Sequence, residues 1–203
     1  MLKTFCESLC AGILITIGGT VFLSCENKTA GAVLFSVALL CICYKGYYLF
    51  TGKIGYIVEQ HKKQDFLNLA VGLFGNLIAT FLLGMLLRTV LPNIGERAAE
   101  MCSAKLAQFP LYSFIRGFFC GILMYLAVSI YKEKNSVWGV LFCVPVFILC
   151  GFEHSIADMF YFGTSGIFDT KIIFFMALIV AGNTLGAMVL PLLKGVHTNE
   201  KQG

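Results

Sequence analysis

The sequence predicts an all-α integral membrane protein of six transmembrane helices, arranged as an inverted 3+3 repeat in which helices 2 and 5 are interrupted. Three observations predict it. The chain is 58% apolar and 13% charged over its 203 residues, whereas soluble domains carry about 25% charged residues. Its apolar residues gather into six runs, each long enough for the roughly 20 residues that a hydrocarbon core of about 30 Å requires. Glycines and ionisable residues break two of those runs at corresponding places.

The runs extend from Phe5 to Cys25, Ala30 to Val58, Phe66 to Leu91, Leu106 to Tyr131, Val137 to Phe162 and Ile172 to Leu193. The first is long enough to span and predicts a retained helix rather than a cleaved leader. The segments between runs read as short loops, so residues 1–203 form a single transmembrane domain. With the amino terminus inside, the inner loops and ends hold Lys3, Lys62, Lys63, Lys132, Lys134, Lys194 and Lys201, against Lys28, Arg88, Arg97, Lys105 and Lys171 outside. Cytoplasmic loops collect Lys and Arg, so both termini are expected in the cytoplasm of a multi-pass cell-membrane protein. The formal charge of +4 is scattered between spans with no basic helix, which argues against a nucleic-acid partner. The nine cysteines lie mostly within apolar runs and lack CxxC or Cys/His ligand spacing, so neither a disulfide framework nor a metal site is expected.

The halves resemble each other. Gly12-Ile13-Leu14 in the first run matches Gly121-Ile122-Leu123 in the fourth, and Gly75-Asn76-Leu77 matches Gly182-Asn183-Thr184-Leu185. From Gly12 to Gly75 is 63 positions and from Gly121 to Gly182 is 61, as a duplicated three-helix unit would leave, although these residue types are common enough to coincide by chance. An odd number of spans per unit makes the second copy enter from the opposite side, the inverted arrangement that surrounds a midplane site in many transporters.

The breaks are the informative places. In helix 2, Lys45 to Gly55 contains Gly46, Gly52, Gly55, Lys45 and Lys53, and irregular, charged backbone at membrane depth is tolerated only when buried in protein or lining water. In helix 5, Glu153, His154 and Asp158 fall within six residues of an apolar run, where each ionised group costs about 2.5 to 3.5 kcal/mol in lipid. Glu153 can serve to accept backbone N–H groups freed by the breaks, and Asp158 to cap the resumed half-helix or pair with a lysine. His154 is read as facing a pore, with a neutral core imidazole bonded to a hydroxyl as the plainer alternative. Asn76 and Asn183, beside glycines, suit bonds to the exposed backbone of the breaks or close helix packing.

The string Gly151-Phe152-Glu153-His154-Ser155-Ile156-Ala157-Asp158-Met159-Phe160 resembles the helix-5 signature of the formate/nitrite transporter family, and Leu49-Phe50-Thr51 resembles its helix-2 loop. Lys3-Thr4-Phe5, Phe74-Gly75-Asn76-Leu77, Arg116-Gly117 with Leu126-Ala127-Val128, and Gly182-Asn183 extend the likeness along nearly the whole chain. The resemblance implies a homopentamer of aquaporin-like protomers, each with its own pore. It assigns Phe35, Leu39, Leu49, Phe50 and Phe147 to constrictions, His154 and Thr51 to the centre, and Lys3 and Lys105 to the vestibules that draw anions in. Three positions depart from the pattern. Gly121 stands where an asparagine usually faces the central histidine, Tyr48 where an acidic residue is usual, and Asp158 where asparagine is more frequent.

The expected activity is passage of a small monovalent anion such as formate, nitrite, hydrosulfide or a short monocarboxylate, with no cofactor. A weak-acid anion facing apolar constrictions can take up a proton and cross as a neutral molecule, and an imidazole titrating near neutrality suits the point between them. Lys53 is a further candidate for anion attraction, or a stem that snorkels to the interface. A facilitator of water or an uncharged weak acid is the competing transport reading. An intramembrane enzyme built on Glu153, His154 and Asp158 has poor support, because no second histidine stands at a ligand spacing.

Overall fold

Helices account for nearly all of the computed structural model, which describes residues 1–59 and 61–200, with the backbone alone for 196–200; Lys201, counted above for topology, lies outside the described residues. The order is α1 (Leu2–Ser24), α2 (Lys28–Lys45), α3 (Phe50–Lys53) running into a 3-10 helix (Ile54–Val58), α4 (Lys63–Val90), α5 (Pro92–Leu106), α6 (Pro110–Lys134), α7 (Trp138–Leu149), α8 (Ser155–Ser165) and α9 (Lys171–Glu200). Among the described residues, α1, α2, α4, α6 and the Lys171–Gly195 part of α9 are long and apolar enough to cross a membrane. The remaining apolar run is divided between α7 and α8. At 12 residues, α7 extends about 18 Å, too short to cross alone.

The expected interruptions fall where glycine and polar residues cluster. One expectation needs correction: the connection between the third and fourth apolar runs is a 15-residue helix, α5, not a short loop, and α6 begins at Pro110 instead of Leu106. Pro92 occupies the first turn of α5, where its missing N–H has no intrahelical partner to lose. Ile94, Gly95, Ala98 and Cys102 form a buried face at helical spacing that packs on α8. Its hydropathy is too low to read as a span.

Packing repeats between the halves. α1 packs on α4 and α2, and α6 on α9 and α7, while α2 meets α7 and α4 meets α8 across the middle. Large apolar side chains such as Phe74, Phe142, Phe168 and Ile173 remain exposed on the outside, as hydrocarbon solvent permits. Without a hydrophobic drive between helices, close approach depends on small residues. A Cβ added at Gly121 would run into the Asn183 carbonyl and come within 2.9 Å of the Ala187 N–H nitrogen on α9. Gly121→Ala is therefore expected to force α6 from α9 at a cost of about 1–3 kcal/mol, read as a lower unfolding temperature of the purified protein in detergent.

Candidate functional site

The two breaks have the same construction. At the first, α2 ends at Gly46, whose φ of 69° lies in the left-handed region; its N–H donates to the Cys43 carbonyl at 3.2 Å and the Tyr47 N–H to the Ile42 carbonyl at 3.1 Å. At the second, Gly151 has φ 67°, its N–H donates to the Ile148 carbonyl at 3.1 Å, and the Phe152 N–H to the Phe147 carbonyl at 2.9 Å. Glycine adopts this conformation without the Cβ clash that other residues meet, and the paired bonds close the helix end. The chain then runs extended through Leu49 and through His154 before each half-helix resumes.

Two asparagines hold these extended segments. Asn76 on α4 accepts from the Phe50 N–H at 2.9 Å and donates to the carbonyls of Tyr48 at 2.9 Å and Ser8 at 2.8 Å. Asn183 on α9 accepts from the Ser155 N–H at 2.9 Å and donates to the carbonyls of Glu153 and Gly117, both at 2.8 Å. Each side chain thus closes one break on both sides of its extended residue and ties it to the first helix of its own half. A primary amide fits because it alone among neutral side chains offers one acceptor and two donors on a short stem.

The breaks meet at one polar contact. His154 Nε2 lies 2.8 Å from Thr51 Oγ1, and Nδ1 accepts from the Ala157 N–H at 3.1 Å, capping α8. An amide N–H can only donate, so Nδ1 carries the lone pair and the proton of the neutral ring is on Nε2, directed at Thr51. The Thr51 hydroxyl receives that bond and keeps its own hydrogen to donate. An imidazolium would need a proton on Nδ1 and would forfeit the cap, so the geometry favours the neutral donor.

Apolar residues enclose this pair. Phe147 stacks on the imidazole with centroids 5.6 Å apart, and Phe35 meets Phe147 edge-on at 6.3 Å. Phe35, Leu39, Leu49, Phe50 and Phe147 are all buried. Leu39 and Leu49 also wall a narrow recess of about 60 Å³ that Lys53 and Lys132 border. Lys132, which the sequence marked only as a topology charge at the end of the fourth run, has its ammonium 3.8 Å from the Tyr56 ring centroid. Lys53 lies 5.6 Å from the Tyr48 ring centroid.

The other candidates are placed differently from one another. Lys3 is open to solvent, 3.8 Å from Glu7. Lys105 is enclosed: its ammonium contacts Glu153 Oε2 and lies 3.0 Å from Asp158 Oδ1. The Glu153 carboxylate therefore serves an ion pair and not the freed backbone, and Asp158 pairs with a lysine while the cap of α8 falls to His154. Position 121, aligned by resemblance with an asparagine facing the histidine, is turned toward the α9 backbone, where only glycine fits.

Helices broken in matching fashion, joined at a buried histidine-threonine contact within a bundle of apolar helices, define a polytopic membrane transport protein. The sequence profile described as formate/nitrite transporter matches residues 1–194, and the chain belongs to that family, whose members are transporters and not enzymes. It is 30% identical over 185 residues to a protein of Bacillus subtilis (strain 168) named as the uncharacterized transporter YwcJ, covering 81% of this chain and 72% of that one. It is 25% identical over 187 residues to the formate channel FocA of Escherichia coli (strain K12), covering 78% of this chain and 65% of that one, so it spans about two thirds of that relative's length. Its fold is similar to a pentameric formate channel solved with formate bound, with a TM-score of 0.81 at 23% identity over 98% of this chain and 97% of that one. A second solved structure, an ion channel of the same family, gives a TM-score of 0.80 at 20% identity, covering 97% and 88%.

Asn76→Ala and Asn183→Ala each strand one carbonyl and one N–H of a break in the protein interior, at about 1–3 kcal/mol per group, and also remove the tie to the Ser8 or Gly117 carbonyl of the neighbouring helix. Both variants are expected to unfold at markedly lower temperature than Thr51→Val, measured by thermal denaturation in detergent.

Proposed function

We propose that the chain passes a small monovalent anion across the membrane through a pore in each protomer of a homopentamer, with His154 and Thr51 as the central polar contact. One observation carries the reading: the 2.8 Å contact between Thr51 Oγ1 and His154 Nε2 joins the two interrupted segments at a buried point enclosed by apolar side chains. On this reading residues 1–203 are a single pore domain, the halves form an inverted repeat, and both termini are cytoplasmic. The recurrence of the same glycine closure and the same asparagine bonds in both halves supports the repeat. The pentamer and the choice of formate, nitrite, hydrosulfide or a short monocarboxylate take their support from what the similar channels are named for.

Phe35, Leu39, Leu49, Phe50 and Phe147 form apolar slits on either side of the central contact, and stripping water from an ion there costs several kcal/mol. A weak-acid anion avoids that cost by taking up a proton and crossing the slits as the neutral acid. The Thr51 hydroxyl, itself receiving the Nε2–H bond, donates toward the permeant, and the positive end of α8 adds favourable potential. The proton comes from water at the mouth, and His154 assists by its Nε2–H bond to Thr51, which strengthens the hydroxyl as a hydrogen-bond donor to the permeant without the ring giving up its proton. Lys3, and Lys53 with Lys132, raise the local anion concentration at the mouths. Lys105 contributes to its vestibule only together with the two carboxylates that enclose it.

Uptake in proteoliposomes across a pH series, with formate, nitrite, hydrosulfide, acetate and lactate in competition, tests the reading. Saturable anion uptake that carries current or moves protons is expected; solute flux with neither would establish a neutral-solute facilitator instead. His154→Asn retains a capping side chain but no titrating ring, so it is expected to fold normally and to change the pH dependence of uptake. His154→Phe is expected to do the same while also losing about 1 kcal/mol of stability with the cap. Thr51→Val removes a hydrogen bond to a charged permeant, about 1.5–3 kcal/mol, and is expected to slow uptake by roughly tenfold or more.

A further inference from the structure

Three ionisable side chains meet behind the second break. Lys105 contacts Glu153 Oε2 and lies 3.0 Å from Asp158 Oδ1, and the three side chains are 12%, 1% and 2% exposed respectively. Asp158 Oδ2 is buried with no hydrogen-bond partner among the described residues.

One ammonium cannot balance two carboxylates. With both ionised, the cluster would hold a net negative charge away from water, including an oxygen that receives no donor, and such a group is costly unless paired. Protonating one carboxyl removes the excess charge, and the acid brings an O–H donor that ionised carboxylates, which only accept, do not have. Carboxyls that share a site in this way resist ionising together. The other titratable groups near Asp158 are Cys102 on α5, Cys120 on α6 and Tyr161 on its own helix, all uncharged in their ordinary forms. Among the described residues, no charged side chain of α1, α4 or α9 pairs with the cluster, so nothing further compensates it.

We propose that Glu153 and Asp158 hold one dissociable proton between them against Lys105, forming a proton-binding site directly behind the central histidine that couples proton occupancy to anion entry. The coupling rests on the anion-pore reading; the proton site itself does not. Glu153 precedes His154 in the chain, and the Asp158 N–H donates to the His154 carbonyl at 2.8 Å, so the cluster adjoins the central contact through the backbone. Binding a proton converts one carboxylate to a carboxylic acid and leaves the cluster neutral. Releasing it places a net negative charge beside His154 and opposes an anion at Thr51. Anion entry is thereby favoured when the proton is bound. The asparagine more frequent at position 158 in the resembled signature cannot titrate, so this device belongs to Asp158.

Infrared spectra of the full-length protein in lipid at neutral pH, in H2O and D2O, test the proton site. A deuterium-sensitive carbonyl band of a buried protonated carboxyl is expected in the wild type and is expected to be lost in both Asp158→Asn and Glu153→Gln, since each leaves the remaining carboxylate paired with Lys105. Absence of the band in the wild type, or its persistence in both variants, would overturn the proposal. In proteoliposomes, formate uptake by the wild type is expected to rise as pH falls, and Asp158→Asn is expected to flatten that rise. An unchanged pH profile in a folded Asp158→Asn protein would overturn the coupling. Absence of any anion uptake by the wild type would count against the anion pore, and the infrared bands would still decide the proton site.

Discussion

Two asparagine side chains make the architecture workable. A helix interrupted within a membrane exposes backbone donors and acceptors that no water is present to satisfy, and each left unpaired is costly. Asn76 and Asn183 meet that requirement with the same three bonds, one to the N–H that follows the extended residue and two to carbonyls. Because one of those carbonyls belongs to α1 or α6, each amide fixes the break in position as well as satisfying it. The left-handed glycines Gly46 and Gly151 stop the preceding helices cleanly, and the asparagines determine where the chain goes next.

Holding the extended segments still gives the central contact its chemistry. Leu49 and His154 occupy the corresponding positions of the two breaks, one apolar and one polar, so the two breaks are alike in backbone and different in side-chain chemistry. His154 is committed on Nδ1 to the amide of Ala157, which leaves Nε2 as a fixed donor to Thr51. The ring stacked beneath it, Phe147, keeps that donor in an apolar setting where a hydrogen bond counts for more than it would in water. The ionisable groups that sequence spacing places beside His154 are drawn away from it, Glu153 and Asp158 toward Lys105, so that charge sits behind the contact and not in it.

Much of this was legible in the residues. The six apolar runs, the broken second and fifth helices, and the pairing of Asn76 with Asn183 all follow from composition and spacing, because a bilayer imposes a length on each span and forbids unexplained polarity inside it. Helix α5 was not legible as a helix. Its buried face sets one large residue, Ile94, beside the small Gly95, Ala98 and Cys102, and its burial comes chiefly from α8, about sixty positions along the chain. Lys132 was visible only as a topology charge, since nothing local shows that it borders the same recess as Lys53.

The sequence by itself determined the medium, the number of apolar runs, the places where helices must stop, and the family signature around His154. Those are local properties, set by hydropathy, glycine and the cost of charge in hydrocarbon. Only the tertiary structure decided that Thr51 and His154 touch, that Lys105 is shared by two carboxyls, and that Gly121 faces α9 instead of the histidine. Each of these depends on how helices from distant parts of the chain are rotated about their axes. A rotation of one residue changes the partner completely, and it is set by close packing between helices, which no single stretch of sequence contains.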